Sequence, residues 1–456
     1  MLRKAAASRR FQRFAGTDGI ARQATVPCSN YHMQAMTLTA AFVVFLALSV
    51  SVRLWLASRQ IRHVAAHRDS VPPQFSHRIT PQAHRRAADY TVAKVKLGLV
   101  DSLIAAFVLI GLTLLGGLQW LAGLWAAWLP DSPLLQQLAV VVSVVVLTSV
   151  IEVPLDAYRQ FRLEARFGFN RMTPALFLAD LFKSAALGAA IGIPLLAAIL
   201  WLMQQAGDYW WLWAWGLWTA FNLVILLVYP TLIAPLFNKF KPLEPGEVRS
   251  RVEGLLSRCG FASSGLFVMD GSKRSAHGNA YFTGFGKSKR IVFFDTLLSR
   301  LDVDEIEAVL AHELGHFKKR HIIKRLALSF IGSLAALALL GYLSRQLWFY
   351  QGLGVNIDPL AGTPAGIALL LFVLALPAFT FVLRPLLTWI SRRDEFEADA
   401  YAASLADPGR LTSALVKLYE DNASTLTPDP VHSAFYDSHP PAAIRIDRLT
   451  SMAAGA

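Results

Sequence analysis

The sequence has little charge and almost no cysteine for its length. Only 16% of its 456 residues are Asp, Glu, Lys or Arg, whereas about 25% is typical of soluble domains. The two cysteines, Cys28 and Cys259, lie far apart in the chain. They are too few for a disulfide framework or a cysteine-based metal site, so any metal must be held by other ligands.

Long apolar runs take the place of the missing charge. Hydrophobic residues make up 54% of the chain, and seven runs approach the length of about 20 residues that a helix needs to cross a membrane. Buried core helices rarely supply so many such runs, which predicts an α-helical polytopic membrane protein. The predicted spans are 37–57, 97–121, 134–154, 184–203, 209–229, 326–344 and 365–386.

Positive charge is unevenly distributed along the chain. Of the 13 excess positive charges, 12 lie before residue 101, and the loops near 122–133 and 204–208 contain no Lys or Arg. A basic excess can indicate nucleic-acid binding, but here basic loops alternate with non-basic ones, which is typical of membrane topology. We therefore expect no nucleic-acid partner. The rule that basic loops stay inside predicts that 230–325 and 387–456 are cytoplasmic, on a bacterial inner membrane or an endoplasmic-reticulum-type membrane.

Residues 1–35 do not fit this topology, because they are basic yet predicted to lie outside. Met33 and Met36 stand just before the first apolar run. We expect this leader to be missing from the mature protein, either because translation starts at one of these methionines or because an Arg-rich presequence is removed.

Four further segments follow from the run pattern: 36–229 with five spans, 230–325 as a cytoplasmic module, 326–386 with two spans, and 387–456 as a cytoplasmic C-terminal part. Within the second, strands are predicted at Leu266–Met269, Asn279–Phe282 and Arg290–Phe294, the last two joined by a Gly-containing turn over 284–288. Asp302 with Glu305 three residues later predicts the capped start of a helix. The segment 425–441, rich in Pro and His, is predicted as loop.

The sequence His312-Glu313-Leu314-Gly315-His316 carries the chemistry on that helix. Residues four apart lie on one helical face, about 6 Å apart along the axis, so His312 and His316 can point two imidazoles at one cation. Such nitrogen ligands suit zinc. Glu313 is then the candidate general base, close to a water held by the metal. The simpler interpretation, a solvated charged helix, is disfavoured because the helix is otherwise apolar.

A catalytic zinc site of this kind needs a carboxylate as third ligand. Glu395 and Asp399 lie four residues apart after the seventh run. Glu395 is the predicted ligand, and Asp399 is predicted to accept a hydrogen bond from a ligand imidazole. Glu397 is the competing ligand, but it points about 200° away from Glu395, so only one of them can serve. These acids could instead merely pair with Arg392 and Arg393.

Together these residues resemble the type I CAAX prenyl proteases, which are seven-span zinc metallopeptidases of the gluzincin group. The resemblance extends from about residue 40 to 450. Besides the His312–His316 and Glu395–Asp399 motifs, the matching stretches are Glu164–Asn170, Tyr229–Lys239, Lys273–Phe282, Lys289–Thr296 and Ser438–Pro441.

The resemblance implies seven helices around a chamber, with a small cytoplasmic α/β gluzincin-type module and one Zn²⁺ per chain. It implies that Asn279, followed by Ala280 and Tyr281, aligns the substrate backbone on an edge strand. It further implies that His439 stabilises the oxyanion and that Arg445 belongs to the substrate site. The expected substrate is a peptide or protein with a prenylated C-terminal CAAX sequence, from which three residues are removed.

Two alternatives remain open. The first is a membrane quality-control metalloprotease without prenyl specificity, although such relatives have about four spans. The second is a non-catalytic membrane scaffold with a structural zinc, although closed structural sites prefer four protein ligands.

Overall fold

The computed structural model describes residues 28–261, 263–283, 289–358 and 364–454. Seven of its helical segments are long and apolar enough to cross a membrane, in agreement with the expected number. The expectation of a mostly helical membrane protein with a small α/β module is confirmed. The seven segments are Tyr31–Ala66, Pro81–Leu112, Pro133–Glu164, Pro174–Gln205, Gly207–Phe237, His321–Leu343 and Ala365–Ala403.

The helices are numbered here in chain order. In the first half they are α1 Cys28–Ala66, α2 Pro81–Leu112, α3 Gly117–Trp128, α4 Pro133–Tyr158, α5 Pro174–Gln205, α6 Trp210–Val228, α7 Ala234–Phe237 and α8 Glu247–Arg258. In the second half they are α9 Asp295–Leu298, α10 Val303–Lys318, α11 His321–Leu343, α12 Leu347–Gly352, α13 Ala365–Thr380, α14 Arg384–Ala403, α15 Pro408–Asp421, α16 Pro430–Tyr436 and α17 Ala442–Ala454.

The second span differs from its predicted position. We expected 97–121, but α2 begins at Pro81 and ends at Leu112, and α3 begins separately at Gly117. Gly116 has a φ of +79°, a left-handed conformation that interrupts a right-handed helix and suits glycine. Hydropathy alone merged the two helices, because the interruption is itself apolar.

The sheet of the module at 230–325 has four strands: β1 Phe240–Pro242, β2 Leu266–Met269, β3 Ala280–Thr283 and β4 Arg290–Phe294. Their order is β1-β2-β4-β3, with β2 parallel to β4 and the other two pairs antiparallel. β3 is therefore an edge strand. The predictions of Leu266–Met269 and Arg290–Phe294 are confirmed at both ends, and the third predicted strand is displaced by one residue. β1 was not predicted, and the turn over 284–288 lies outside the described residues.

The helix that carries His312 begins at the predicted cap. Asp302 accepts a hydrogen bond from the Glu305 backbone N–H, and the Glu305 carboxylate accepts one from the Asp302 N–H. Ile306, Leu310 and Leu314 are buried in the core that α10 shares with the sheet, α8 and α15. The apolar stripe of α10 thus fixes which face the zinc motif presents.

The segment 425–441 is not entirely loop, because it contains α16. The Asp429 side chain caps this helix by accepting hydrogen bonds from the N–H groups of Val431 and His432. Arg59 and Gln60 of α1 hold Asp429 in turn. The cap therefore depends on a residue more than 360 positions away in the chain, which local sequence cannot indicate.

Candidate active site

The ligand atoms of three predicted residues converge on one point. His312 Nε2 and His316 Nε2 lie 3.2 Å apart. The Glu395 carboxylate lies 3.5 Å from His312 Nε2 through Oε2 and 3.3 Å from His316 Nε2 through Oε1. Ligands about 2.0–2.1 Å from a tetrahedral zinc are about 3.3 Å from one another, so these separations match a zinc site.

The environment of these atoms also fits a metal ion. Glu395 Oε2 is buried and has no hydrogen-bond partner among the described residues. A buried carboxylate oxygen without a donor is costly unless a cation lies beside it. Two imidazoles and one carboxylate are the donor set of catalytic rather than structural zinc sites. Glu397, the competing ligand, is not part of this cluster.

Asp399 and Arg445 fix the orientation of His312. Asp399 Oδ1 lies 2.8 Å from His312 Nδ1, so the Nδ1–H donates to the carboxylate and leaves the Nε2 lone pair for a metal. Arg445 donates two hydrogen bonds of 2.7 Å to the Asp399 carboxylate. Burial alone would lower the pKa of Arg445, but its hydrogen bonds to Asp399 raise it above its usual value and keep the side chain charged.

Arg445 was expected in the substrate site. Its side chain is buried, and Nη2 also approaches the His312 ring at 3.1 Å. The described contacts of Arg445 are therefore with Asp399 and His312, on the buried side of the metal site.

His321 supports the imidazole of His316, and this role was not predicted from the sequence. His316 Nδ1 lies 3.0 Å from His321 Nδ1, and His321 Nε2 lies 3.2 Å from Glu397 Oε2. With His316 Nε2 facing the metal position, its Nδ1–H donates to His321, whose Nε2–H donates to Glu397. His321 lies five residues after His316, which is not a helical ligand spacing. It comes close to His316 because the chain turns between α10 and α11 at Arg320, which has a φ of +57°.

Helices α10 and α14 approach closely where the ligands meet. A Cβ added to Gly315 would lie 2.8 Å from the Cα and 2.9 Å from the carbonyl oxygen of Ala398. Only a glycine permits this backbone contact. The contact brings Glu395 and Asp399 within reach of the two histidines.

Glu313 and His439 lie beside the three ligands. Burial raises the pKa of the Glu313 carboxyl above its ordinary value, as is typical of carboxylates that exchange protons in catalysis. His439 Nε2 lies 3.5 Å from Glu395 Oε1, and its side chain is exposed. His439 therefore stands at the open side of the cluster, whereas Asp399 and Arg445 close the buried side.

The predicted substrate residues lie on the edge strand. Ala280 and Tyr281 belong to β3, and Asn279 precedes it and is exposed. Within the described residues, none of the three has a hydrogen bond or ion pair to the metal-ligand cluster. The segment before β3 is tied to the loop after the third span, because the Ala276 N–H donates to the Phe169 carbonyl and the Arg171 N–H to the Arg274 carbonyl.

Family models match both halves of the chain. The model described as the CAAX prenyl protease N-terminal region, with five membrane helices, matches residues 60–239. The model of peptidase family M48 matches residues 242–453. The boundary between the two lies close to the start of the sheet module.

Similar proteins cover nearly the whole chain. The CAAX prenyl protease 1 homolog of Oryza sativa subsp. japonica is 34% identical over 90% of this chain and 96% of its own length. CAAX prenyl protease 1 of Saccharomyces cerevisiae is 34% identical over 88% of this chain and 92% of its own length. The Homo sapiens homolog is 30% identical over 90% of this chain and 95% of its own length. The crystal structure of S. mikatae Ste24p aligns with a TM-score of 0.82 at 30% identity, covering 90% of this chain and 99% of that one.

Proposed function

The chain belongs to the CAAX prenyl proteases of peptidase family M48 and is a multi-pass membrane metalloprotease, and we propose that it uses one zinc ion to remove the C-terminal three residues of prenylated CAAX proteins. The observation that carries the zinc assignment is the set of separations of 3.2, 3.5 and 3.3 Å among His312, His316 and Glu395. The substrate assignment rests on the names of the similar proteins.

The metal position is defined by His312, His316 and Glu395. A zinc ion bound there supplies Lewis acidity, which polarises the substrate carbonyl and makes water more acidic. Asp399 keeps the His312 lone pair directed at the metal position, and Arg445 holds Asp399 in place.

Glu313 is proposed to transfer the proton. Its carboxylate takes the proton of the attacking water and delivers it to the amine that leaves when the peptide bond breaks. Glu313 follows the ligand His312 directly on α10, so its carboxylate would lie close to a water held at the metal position.

His439 is proposed to donate a hydrogen bond to the oxygen that gains negative charge during attack. Its ring is the exposed imidazole of the cluster, and its Nε2 lies near Glu395. A donor on this open side faces bound peptide without displacing a metal ligand.

The edge strand β3 is proposed to bind the substrate. Because β4 is the one partner of β3 among the described strands, an extended peptide can add to the other edge of β3 through backbone hydrogen bonds. The peptide would then be aligned by Asn279, Ala280 and Tyr281. Asn279 would supply a side-chain amide just before the first residue of β3.

The site is proposed to face the cytoplasm, as the basic loops indicate. A cytoplasmic site next to the membrane would reach a C-terminal peptide whose prenylated cysteine is anchored in the bilayer. The partners are thus a peptide or protein substrate and the lipid bilayer.

Cleavage of a matched pair of peptides tests the proposed specificity. The purified full chain is incubated with a farnesylated CAAX peptide and with the same peptide lacking the farnesyl group, with Glu313→Gln as the control for contaminating proteases. We expect release of the C-terminal tripeptide with a kcat/KM about tenfold or more higher for the farnesylated peptide, because the buried prenyl chain adds apolar binding energy. Equal cleavage of both would refute prenyl specificity and favour a quality-control protease.

A further inference from the structure

A cavity of about 610 Å³ lies on the face of α14 opposite to the metal ligands. Glu395 and Asp399 face α10, whereas the cavity is lined by α14 residues that include Arg393 and Glu397, with additions from the end of α10 and from α17. Its lining contains four cationic side chains and a single carboxylate: Lys319, Arg392, Arg393, Arg448 and Glu397. We call it the basic pocket.

The positive charge of the basic pocket is poorly neutralised by the protein. Within the described parts of the chain, Lys319 has no side-chain hydrogen bond or ion pair, and the Arg448 guanidinium lies over the Phe396 ring at 4.6 Å with no carboxylate partner. The Nη1 of Arg392 donates to three backbone carbonyls, which are uncharged and do not neutralise it. The Arg393–Glu397 contact is long, at 3.5 Å, and Glu397 is shared with His321. The pocket therefore favours an anion.

The surroundings of the basic pocket place it at the membrane boundary. Leu386, Trp389 and Arg393 follow one another at helical spacing on the same face of α14, and the first two are about half exposed. At the start of the sixth span, Lys319, Lys324 and Arg325 come before the apolar run that begins at Leu326. The seventh span thus changes from exposed apolar residues to cations at the pocket, and the sixth begins with several cations. Trp389 is of the aromatic type that is enriched at the membrane boundary.

We propose that the basic pocket binds the phosphate of an anionic phospholipid headgroup. The planar arginine donors match the geometry of phosphate oxygens, Lys319 adds a point charge, and Trp389 packs against the apolar start of the lipid. The site goes beyond the peptidase function and depends only on the chain spanning a membrane. Because Arg393 is two residues from Glu395, a bound lipid holds the segment that carries the third metal ligand at a fixed depth.

Lipid binding by pocket and control variants tests the proposal. The full chain in detergent is titrated with phosphatidylglycerol or phosphatidylcholine, and bound lipid is counted by native mass spectrometry. The pocket variant is Lys319→Ala/Arg448→Ala. The control is Lys318→Ala/Arg78→Ala, which removes the same charge from two exposed basic residues outside the pocket.

We expect the pocket variant to bind the first phosphatidylglycerol about tenfold or more weakly than wild type, with the control unchanged and phosphatidylcholine binding weakly to all. Lys319→Arg/Arg448→Lys, which preserves the charge, restores binding, and zinc content verifies that each variant is folded. Equal phosphatidylglycerol binding by the pocket and control variants would overturn the proposal. If inorganic phosphate displaced the bound lipid as effectively as excess phosphatidylglycerol does, the phosphate bound in the pocket would not need to come from a lipid, and that part of the proposal would be wrong.

Discussion

At the residue scale, the metal site depends on side chains that are not themselves ligands. His312 is held by Asp399 and Arg445, and His316 by His321. Each support leaves one tautomer of the ligand imidazole, with its Nε2 free for the metal. We therefore expect the affinity for zinc to depend on residues beyond the three proposed ligands.

Replacing His321 with phenylalanine tests this dependence. The change keeps a ring of similar size but removes the acceptor for His316 Nδ1–H, so we expect the Kd for zinc, measured by chelator competition, to rise about 10- to 100-fold. His84→Phe is the matched control, because His84 is equally buried and, among the described residues, its ring hydrogen-bonds to the His67 carbonyl and to no residue of the metal site. If His321→Phe and His84→Phe bound zinc equally well, His321 would have no positioning role.

The three ligand candidates and Asp399 could be identified from sequence because each pair has helical i, i+4 spacing. His321 could not, because it follows a left-handed residue and begins a new helix. Arg445 was assigned to the substrate site by resemblance, but its burial against Asp399 is a tertiary fact that no local pattern contains.

At the element scale, the site is the contact between α10 and α14. Gly315 allows the two backbones to meet at Ala398, and this contact sets the distance from the histidines to Glu395. The long helices follow from hydropathy. β1, α16 and α17 do not, because they are short or only partly buried and are stabilised by distant partners, such as Arg59 for the cap of α16.

Adding one methyl group at Gly315 should separate these helices. Gly315→Ala places a Cβ 2.8 Å from the Ala398 Cα, so α14 must shift, at a cost of about 1–3 kcal/mol in the free energy of unfolding. We expect loss of most bound zinc by metal analysis of the purified protein. Gly254→Ala in α8, where a Cβ meets nothing within 4 Å, should keep its zinc. Full zinc occupancy in Gly315→Ala would show that the helix contact does not set the site.

At the scale of the whole molecule, the site is assembled from segments on either side of two membrane spans. His312 and His316 precede the sixth span, whereas Glu395 and Asp399 follow the seventh within the same long helical segment. The long apolar runs predicted a membrane protein and the number of its spans, because buried core helices rarely supply so many such runs. Composition could not predict that Glu395 lies next to α10, because this depends on how α13 and α14 pack against their neighbours.

The central claim is that this assembly is a zinc peptidase in which Glu313 moves the proton. Its most direct test is turnover by Glu313→Gln, measured with the zinc content of the same preparation. We predict about one zinc per chain, as in wild type, and peptide cleavage reduced by at least about a thousandfold, since the amide cannot accept a proton. A Glu313→Gln protein that holds zinc and cleaves peptide at a rate near wild type would contradict the account.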